Sequence, residues 1–555
     1  APPPACFCPV TSPLVSEEKT PSPETPQGEK ALGRRRLLVG LGFGAANLAL
    51  LRRLSPNQAS PDTPPGTPSS AQPVSSTVPP TPTSPLTISA PPVFDPAAVV
   101  DPVGHIFDTV ITAGRVIDPA SGFDAPAEVG IDGGVITYLG PKPLTGQQTL
   151  NASNMVVSPG FIDLLSYPPN GYGEWFKISD GVTSNLCLHG IDNPMLDFLD
   201  KVGDVNPPVN YGGATDQARH RALTGAGIEY LSKVDDVSIQ DIVALAEKDL
   251  QNGALGIHEQ PEYVLGVTYD EMLAHGELAA RFNIPLCPHL RTGETSDPKL
   301  QEAAVEEVIN IARQTGCAVH IDHLNSTGGA GRMAEAIAQI EVGRQEGLAI
   351  TACIYPYTSW ATGAGTERFT NFQEKFGITY NDLQVAGTNQ RVTAGQWPEI
   401  REKSLLTIAF AMDEEDITTA LKAPWIMIGS DAILGPNHNN HPRSAGCFSR
   451  VLGVYVRQQE VITLIDALSR MTIQPAQLLE KSSTDLSRRG RLQAGAVADI
   501  TIFSPETITD NATVADPGKE STGIHHVLVN GQIVRRNGVN DQSVRPGVPL
   551  LRDQT

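Results

Sequence analysis

Short apolar runs alternate with helical stretches through the middle of this chain, and that alternation limits the folds open to it. Helical patterns cover 241–252, 299–314 and 333–346. The strand-like runs around them lie at 156–164, 181–189, 209–213, 253–258, 284–289, 317–323, 350–355, 405–411 and 425–431. Such alternation is typical of a parallel α/β fold. About eight repeats over roughly 330 residues favour a distorted (β/α)8 TIM barrel over an open sheet, since no glycine-rich nucleotide turn follows the first strand.

Two β-rich segments flank this middle region. The first spans 105–158 and the second 486–545, and each contains short apolar runs broken by turns. Because the two segments enclose the predicted barrel, 159–485, we expect them to join in one small β-sandwich domain built from both ends of the folded region.

Proline is concentrated in 1–104, with 21 of the 46 prolines before residue 97. Ser and Thr fill much of the space between them, so this stretch predicts a disordered tail or linker. Three arginines at 34–36 precede an uncharged apolar stretch at 37–51. A basic region before a short apolar one, here at 33–53, is similar to a twin-arginine export signal. This predicts an exported protein of the periplasm or of a thylakoid lumen, with an N-terminal membrane tether as the alternative.

Charge and cysteine usage exclude several classes of protein. Forty Lys and Arg face 61 Asp and Glu, and the formal net charge of −21 repels phosphate backbones, so no nucleic-acid partner is expected. No run of 18 apolar residues follows residue 60, so the folded part is not expected to span a membrane. The seven cysteines are scattered without CxxC spacing and predict neither a disulfide framework nor a zinc knuckle.

Several of the apolar runs end in side chains that can bind a metal. His189, His289 and His323 each close such a run, and so does Asp431. The active site of a barrel lies at the carboxyl ends of its strands. One histidine at such a position is more often a hydrogen-bonded structural residue, but several imidazoles converging with a carboxylate are the ligands that Zn²⁺ selects. We therefore predict a zinc site at this end of the barrel.

A series of motifs runs in a fixed order between residues 105 and 540. Each motif alone is weak, and their order and spacing carry the signal. They are VSPGFID at 157–163, GALGI at 253–257, HLR at 289–291, HIDHLN at 320–325, YPY at 355–357, GSD at 429–431, HPRSAG at 441–446 and further short matches within 471–476, 490–499 and 526–531. Together they resemble the amidohydrolase superfamily, specifically the branch that contains the N-acyl-D-amino-acid deacylases. The resemblance implies a metal-dependent hydrolase that cleaves a non-peptide C–N bond, the amide of an N-acyl amino acid, which the branch suggests is of D configuration.

The resemblance also implies roles for the residues at the strand ends. Members of the branch activate water with a metal, and their last-strand aspartate handles the proton, a role that would fall on Asp431. His289 and His323 match the metal-binding histidines of the fifth and sixth strands. The third ligand is expected within 187–189, where Cys187 and His189 face the same side of a strand. The position of His189 favours it slightly over Cys187.

One position departs from the pattern of the family. Family members follow Gly-Phe-Ile-Asp with His-x-His, which holds a second metal, whereas this chain has Leu165 and Tyr167 there. Leucine cannot bind a metal and neutral tyrosine is rarely a zinc ligand, so we expect one zinc ion per chain. The alternative is a catalytically inactive homologue that only binds its ligand. A replacement ligand from His258 or Glu259 would instead restore a two-metal site.

Other polar residues near the motifs are candidates for binding a small-molecule substrate. Arg291 and Arg443 are suited to clamp a carboxylate bidentately, and an ordinary ion pair is an equal alternative for each. The residues expected to orient the amide or to close over it are Glu262, Tyr263, Asn325 and His441. The oligomeric state is not predicted by these patterns.

Overall fold

The structure is a computed structural model that describes residues 99–191, 194–224, 236–437 and 440–554. The predicted twin-arginine signal at 33–53 and nearly all of the predicted tail lie outside these residues. None of the helices in the described residues is long and apolar enough to cross a membrane.

Strands and helices alternate along the described chain. The strands are β1 (Ile106–Asp118), β2 (Phe123–Asp132), β3 (Val135–Gly140), β4 (Thr145–Asn151), β5 (Val156–Pro159), β6 (Phe161–Asp163), β7 (Val182–Cys187), β8 (Asn210–Gly213), β9 (Thr215–Asp216), β10 (Ile257–Glu259), β11 (Pro285–Pro288), β12 (Ala318–Ile321), β13 (Ile350–Ile354), β14 (Trp360–Gly363), β15 (Leu383–Val385), β16 (Leu406–Ala409), β17 (Ile426–Ile428), β18 (Ile500–Phe503), β19 (Ile524–Val529), β20 (Gln532–Arg536) and β21 (Val539–Asn540).

The helices of the described residues fall mainly between the strands of the barrel. They are α1 (Glu174–Ser179), α2 (Met195–Val205), α3 (Gln217–Thr224), α4 (Asp236–Gln251), α5 (Tyr269–Phe282), α6 (Pro298–Thr315), α7 (Met333–Gln345), α8 (Phe372–Phe376), α9 (Trp397–Glu402), α10 (Glu414–Lys422), α11 (Arg443–Arg450), α12 (Leu464–Met471), α13 (Ile473–Leu479) and α14 (Thr484–Ser487).

The predicted (β/α)8 barrel is confirmed, and it is distorted at its third strand. Strands β6, β7 and β8 pair in parallel, and β9 to β13 pair in parallel with one another and with β17. β8 and β9 form one strand interrupted at Ala214, whose N–H donates to the carbonyl of Cys187 (3.0 Å), while the next N–H, of Thr215, donates to Gly256 (2.9 Å). The barrel closes where the N–H of Asp431 donates to the carbonyl of Leu165 (2.7 Å).

The barrel strands read as continuous apolar runs because helices cover them outside and packed side chains fill them inside. All residues of β7 and β11 are buried, as expected for a parallel sheet covered on both faces. Helix α6 shows why the predicted helices form: the side chain of Asp297 accepts the N–H of Lys299, Pro298 starts the first turn, and Gly316 ends the helix at φ +73°.

The predicted strand at 405–411 is a strand, β16, but its assignment to the barrel is wrong. β16 pairs antiparallel with β14 and β15 in a small sheet inserted between β13 and β17. A short apolar run looks the same in both settings, since both bury it, so its pattern could not distinguish them.

The two ends of the described chain share one sheet, as predicted for the β-sandwich. β5 pairs in parallel with β1 and antiparallel with β18, and β18 continues through β19 and β20 to β21. Its core is an apolar cluster distinct from that of the barrel and includes Val116, Val129, Ile500 and Leu528.

The chain then continues past the predicted end of this domain and returns to the barrel. The N–H of Tyr211 on β8 donates to Val548 (3.0 Å), and that of Leu550 donates back to Tyr211 (2.7 Å). The Leu550 side chain has no exposed surface and belongs to an apolar cluster with Leu186 and Leu255. The last residues are therefore part of the barrel wall.

Candidate metal centre

Three histidines meet at the carboxyl ends of the barrel strands. His289 directly follows β11, and His189 and His323 come two residues after β7 and β12. One ring nitrogen of each lies within 4.8 Å of the others. The carboxyl ends of parallel strands share one rim of a barrel, which is why residues so far apart in sequence converge.

The spacing of these nitrogens fits a tetrahedral metal. His289 Nδ1 and His323 Nε2 are 3.2 Å apart. Zinc–nitrogen bonds of ~2.0–2.1 Å place two tetrahedral ligands ~3.3 Å from each other. All three rings are largely buried, with His189 the most exposed of them. The three imidazoles therefore satisfy the distance and chemistry that a divalent cation requires.

Carboxylates behind two of the rings determine which nitrogen faces the centre. His289 Nε2 lies 2.6 Å from Glu262 Oε2, and His189 Nδ1 lies 2.9 Å from Asp322 Oδ2. Because a carboxylate accepts, each of these nitrogens carries a proton, and the opposite nitrogen of each ring is left with a lone pair. A carboxylate placed in this way orients a metal-binding histidine and increases its basicity.

Burial keeps two of the rings neutral. It lowers the pKa of His289 and lowers that of His323 to about 3. At His189 burial acts in the same direction, but the hydrogen bond with Asp322 and the charge of Asp431 together raise the pKa. Since only neutral imidazole binds a metal, His289 and His323 are ready to do so at neutral pH.

Glu262, predicted as a substrate contact, is fully engaged within the protein. Besides His289, it accepts the N–H of Gly293 (3.2 Å) and pairs with Arg368, which comes from the insertion between β13 and β17. Burial alone would raise the pKa of Glu262, but the charge of Arg368 and the His289 hydrogen bond hold it at about 2. Glu262 is thus a carboxylate that holds a ligand rather than one open to substrate.

Asp431 faces the three rings from the last strand. Its Oδ2 lies 3.8 Å from His323 Nε2 and 2.7 Å from Arg443, and its Oδ1 is 3.3 Å from the hydroxyl of Tyr167. Burial raises its pKa, but the charge of Arg443 and the neighbouring imidazoles of His323, His189 and His289 together outweigh burial, so the net shift is downward and the carboxylate is ionised. Asp431 has φ +50° and His323 has φ +25°, strained values for residues other than glycine that often occur in active sites.

Cys187 and His189, the two candidates for the third ligand, occupy different environments. His189 belongs to the group of three rings, whereas the Cys187 side chain is fully buried in the barrel core, and its backbone forms an isolated bridge with Leu165. The structure therefore brings His189, and not Cys187, to the candidate metal centre.

The two predicted replacement ligands point in different directions. His258 Nδ1 lies 3.2 Å from Asp322 Oδ2 and 2.9 Å from the carbonyl of Cys287, so this ring shares a carboxylate with His189. Glu259 instead pairs with His275 on α5 (2.8 Å). Only His258 adjoins the three-histidine centre.

The two arginines predicted to clamp a carboxylate also differ. Arg291 donates to Glu307 (2.8 Å) and to the carbonyl of Val267 (2.9 Å), so the ion-pair alternative describes it and the clamp does not. Arg443 lies in the site, stacked 4.2 Å above the ring of Tyr355. Its Nη1 is buried and makes no hydrogen bond within the described residues, so it retains a donor for a ligand.

The remaining candidates lie around the centre in supporting positions. The Tyr263 ring packs 4.9 Å from that of His289. Asn325 donates to the carbonyl of Tyr355 (2.9 Å) and is fully buried. His441, also fully buried, contacts Ser359 (2.9 Å) and accepts the N–H of Arg443, which makes it a support for Arg443 rather than part of a lid.

Sequence reasoning assigned no role to Asp322 or Arg368. Asp322 stands inside the HIDHLN motif, one residue before His323, and a buried acid beside a predicted ligand was a usable signal. Arg368 lies in the insertion, between the YPY motif at 355–357 and the GSD motif at 429–431, and none of the motifs covers it. Its contact with Glu262 depends on how the insertion packs, which no local pattern predicts.

Comparison with known proteins agrees with this site. A sequence pattern described as the amidohydrolase family matches residues 213–535. An N-acyl-D-glutamate deacylase of Alcaligenes xylosoxydans xylosoxydans is 32% identical over 486 residues, 80% of this chain and 97% of the relative. A D-aminoacylase of the same organism is 29% identical over 476 residues, 77% of this chain and 94% of the relative.

A solved structure of a deacylase is also similar to this chain. The N-acyl-D-glutamate deacylase from Bordetella bronchiseptica, complexed with zinc and a phosphonate inhibitor that mimics the tetrahedral intermediate of its reaction, is 27% identical. It superposes with a TM-score of 0.70 over 81% of this chain and 100% of its own.

A barrel that gathers three imidazoles and a carboxylate at one rim defines the class of metal-dependent hydrolases. Within that class, the chain belongs to the amidohydrolase family, in the D-aminoacylase-like branch. It is a hydrolase of carbon–nitrogen bonds other than peptide bonds, with a metal cofactor. The predicted family, fold and reaction class are confirmed.

Proposed function

We propose that this chain hydrolyses the amide of an N-acyl-D-amino acid and uses one zinc ion held by His189, His289 and His323. The observation that carries the proposal is the convergence of these three rings, with nitrogens within 4.8 Å of one another, beside Asp431. When bound, the ion supplies a Lewis acid that polarises the acyl carbonyl and makes water nucleophilic near neutral pH.

Asp431 is the group placed to move protons. It is ionised and lies on the rim of the centre, 3.8 Å from His323. It takes one proton from the attacking water and delivers it to the amide nitrogen as the C–N bond breaks. The products are a carboxylic acid and a free amino acid. The acid passes its remaining proton to the released amine and becomes a carboxylate, and Asp431 returns to its ionised form.

Packing at Leu165 supports a single ion. This side chain has no exposed surface, and a Cβ added to Gly429 would lie 2.6 Å from the Leu165 Cβ. An apolar side chain therefore fills the space beside Asp431, where the family pattern has a metal-binding histidine.

Arg443 supports an N-acyl amino acid as the substrate. Its buried Nη1 donor, which has no partner among the described residues, and its positive charge suit the α-carboxylate of such a molecule. The D configuration is supported by the names of the relatives, two of which are D-amino-acid deacylases.

The test combines metal content and activity of the full-length protein. We expect about one zinc per chain by elemental analysis, and release of amino acid from N-acetyl-D-glutamate, N-acetyl-D-aspartate or N-acetyl-D-leucine but not from their L enantiomers. A His289→Ala, His323→Ala double variant should lose both zinc and activity. An Arg291→Gln variant, altered outside the site, should keep both.

Two results would contradict the proposal. Zinc-loaded protein that hydrolyses none of these amides would favour the alternative of a homologue that only binds its ligand. A wild-type protein with two ions per chain would contradict the single-ion centre and direct attention to His258.

Export is a separate proposal, supported by the arginines at 34–36 and the apolar stretch at 37–51. A reporter fused to residues 1–104 should be exported through the twin-arginine route. Replacing the three arginines with lysines should block that export, and an unchanged reporter distribution would reject the signal.

A further inference from the structure

Tyr167 stands across the site from Arg443, with Asp431 between them. It follows β6 by four residues, and its backbone is fixed because its carbonyl accepts the amide N–H of Asn185 (3.0 Å). Its hydroxyl lies 3.3 Å from Asp431 Oδ1, and its ring meets the ring of His189 edge-on, with centroids 5.7 Å apart. The side chain thus contacts both the proton-carrying residue and a ligand of the centre.

The two oxygens of Asp431 have different partners. Arg443 holds Oδ2 at 2.7 Å and also donates from Nε to the Asp431 backbone carbonyl at 3.1 Å. The other oxygen, Oδ1, lies 3.3 Å from the Tyr167 hydroxyl. With Arg443 alone the carboxylate could still turn about its Cβ–Cγ bond, and the donor on the opposite oxygen opposes that rotation.

An apolar side chain packs next to this side of Asp431. Leu165 fills the adjoining space against Gly429 and Cys353, whose sulfur would be 3.3 Å from a Cβ added to Gly429. Among the described residues, none of the three groupings of His, Cys, Asp and Glu that could hold a cation includes Asp431. The phenol of Tyr167 therefore lies within hydrogen-bond distance of the carboxylate oxygen that Arg443 does not hold.

We propose that Tyr167 is a positioning residue that donates its hydroxyl proton to Asp431 Oδ1 as a hydrogen bond and holds the carboxylate in the orientation needed for proton transfer. The inference rests on the proposed function, because it assigns proton transfer to Asp431. Its consequence is that the phenol is needed for the chemical step and not for retaining zinc or for binding substrate.

The test is a Tyr167→Phe variant, which removes one oxygen and keeps the ring against His189. We expect kcat to fall by ~10–100-fold, the scale of a slightly misplaced catalytic group. KM and the zinc affinity measured by chelator competition should each stay within about threefold of wild type, because substrate and metal contacts are retained. Tyr269→Phe is the matched control: it removes an exposed hydroxyl that bonds Gln314 on the outside of the barrel, and its kcat should equal that of wild type.

The outcomes separate this inference from the proposed function. If wild-type protein is active and Tyr167→Phe has the same kcat, or if the variant loses zinc, the positioning role is wrong although the enzyme assignment stands. If wild-type protein hydrolyses none of the amides, the proposed function fails. Crystal structures of wild type and variant then decide the inference: a rotated Asp431 carboxylate in Tyr167→Phe supports it, and an unchanged one overturns it.

Discussion

Glu262 and Asp322 stand behind two of the three histidines, and each fixes the tautomer of the ring it contacts. Neither touches the candidate metal position, yet each determines which nitrogen is free to bind. Glu262 contacts both Arg368 and His289. Arg368, a residue of the insertion, therefore helps to fix the orientation of the His289 ring, which directly follows β11. The metal affinity of the centre therefore depends on Glu262 and Asp322, although neither is itself one of the three ligands.

Glu262→Gln should weaken zinc binding. His289 and Arg368 both donate to Oε2 of Glu262, and the Gly293 N–H donates to Oε1. A neutral amide has one acceptor oxygen, so it cannot serve all three donors, and the ring loses part of its fixed orientation and of its basicity. We expect the zinc Kd to rise by ~10–100-fold in a chelator competition. Glu307→Gln, which alters only the ion pair with Arg291, serves as the control and should bind zinc like wild type. Equal affinities for all three proteins would contradict the role given to Glu262.

The sequence locates residues whose place follows from a strand end, but it does not locate partners that are brought in by packing. His289 and His323 were predictable because β11 and β12 stop just before them. The sequence places Glu262 near the site, but it does not reveal the partners of this carboxylate. One partner, Arg368, is more than a hundred positions away in the chain. The charge of Arg291 suggests a clamp for a substrate carboxylate, but its side chain is turned toward Glu307 on α6.

At the scale of elements, the first and last barrel strands are joined by a buried ionic cluster. Lys177 on α1 donates to Asp163 at the end of β6 (2.7 Å) and to Ser430 after β17 (2.6 Å). Asp163 also accepts the backbone N–H of Ser430 (3.0 Å), and the next residue is Asp431. The cluster therefore supports the strained backbone that carries the proton-transferring carboxylate.

Lys177→Met should destabilise the barrel. The change leaves the Asp163 carboxylate buried without its cation, which costs ~3–5 kcal/mol of unfolding free energy in comparable pairs. A Lys177→Met, Asp163→Asn double variant should recover part of the loss, because the amide oxygen still accepts from Ser430. Denaturant titration gives both values. Lys403→Met, at an exposed pair, should change little, and a Lys177→Met protein as stable as that control would refute the role of the cluster.

The strand β19 carries a pH-sensitive ring far from the metal centre. Burial lowers the pKa of His526 to about 4, and the neutral ring accepts the N–H of Asn537 at Nδ1 (3.3 Å). The unfolded chain has the ordinary pKa of ~6.5. The stabilising contribution is therefore complete above pH ~6.5 and is lost as pH falls from there toward 4.

Urea titrations between pH 7.5 and 5 check this prediction. Wild-type protein should lose stability over that interval, and His526→Gln should show a smaller loss, because its side chain does not take up a proton. His525→Gln, the neighbouring control, should keep most of the wild-type dependence. A His526→Gln protein with the full dependence would place the titrating group elsewhere.

At the scale of the whole molecule, the chain after the β-sandwich is part of the barrel. Leu550 is fully buried beside Leu186 and Leu255, and its backbone pairs with Tyr211. Leu550→Ala should lower the unfolding free energy by ~2–5 kcal/mol, the usual cost of truncating a buried leucine. Val548→Ala, at a partly exposed neighbour, is the control for the same measurement. Equal stabilities would show that this segment adds nothing to the barrel.

The pairing of β5 with β18 has a consequence for how the protein is made. The hydroxyl of Ser158 donates to the carbonyl of Thr501, 343 positions further along the chain. At a synthesis rate of ~5–20 residues per second, β5 leaves the ribosome on the order of 20–70 s before its neighbour exists. During that interval one edge of β5 has unpaired backbone groups, and such an edge can pair with a strand of another chain and cause aggregation. Because β5 has only four residues, a strand of another chain can form few hydrogen bonds with it before β18 is synthesised.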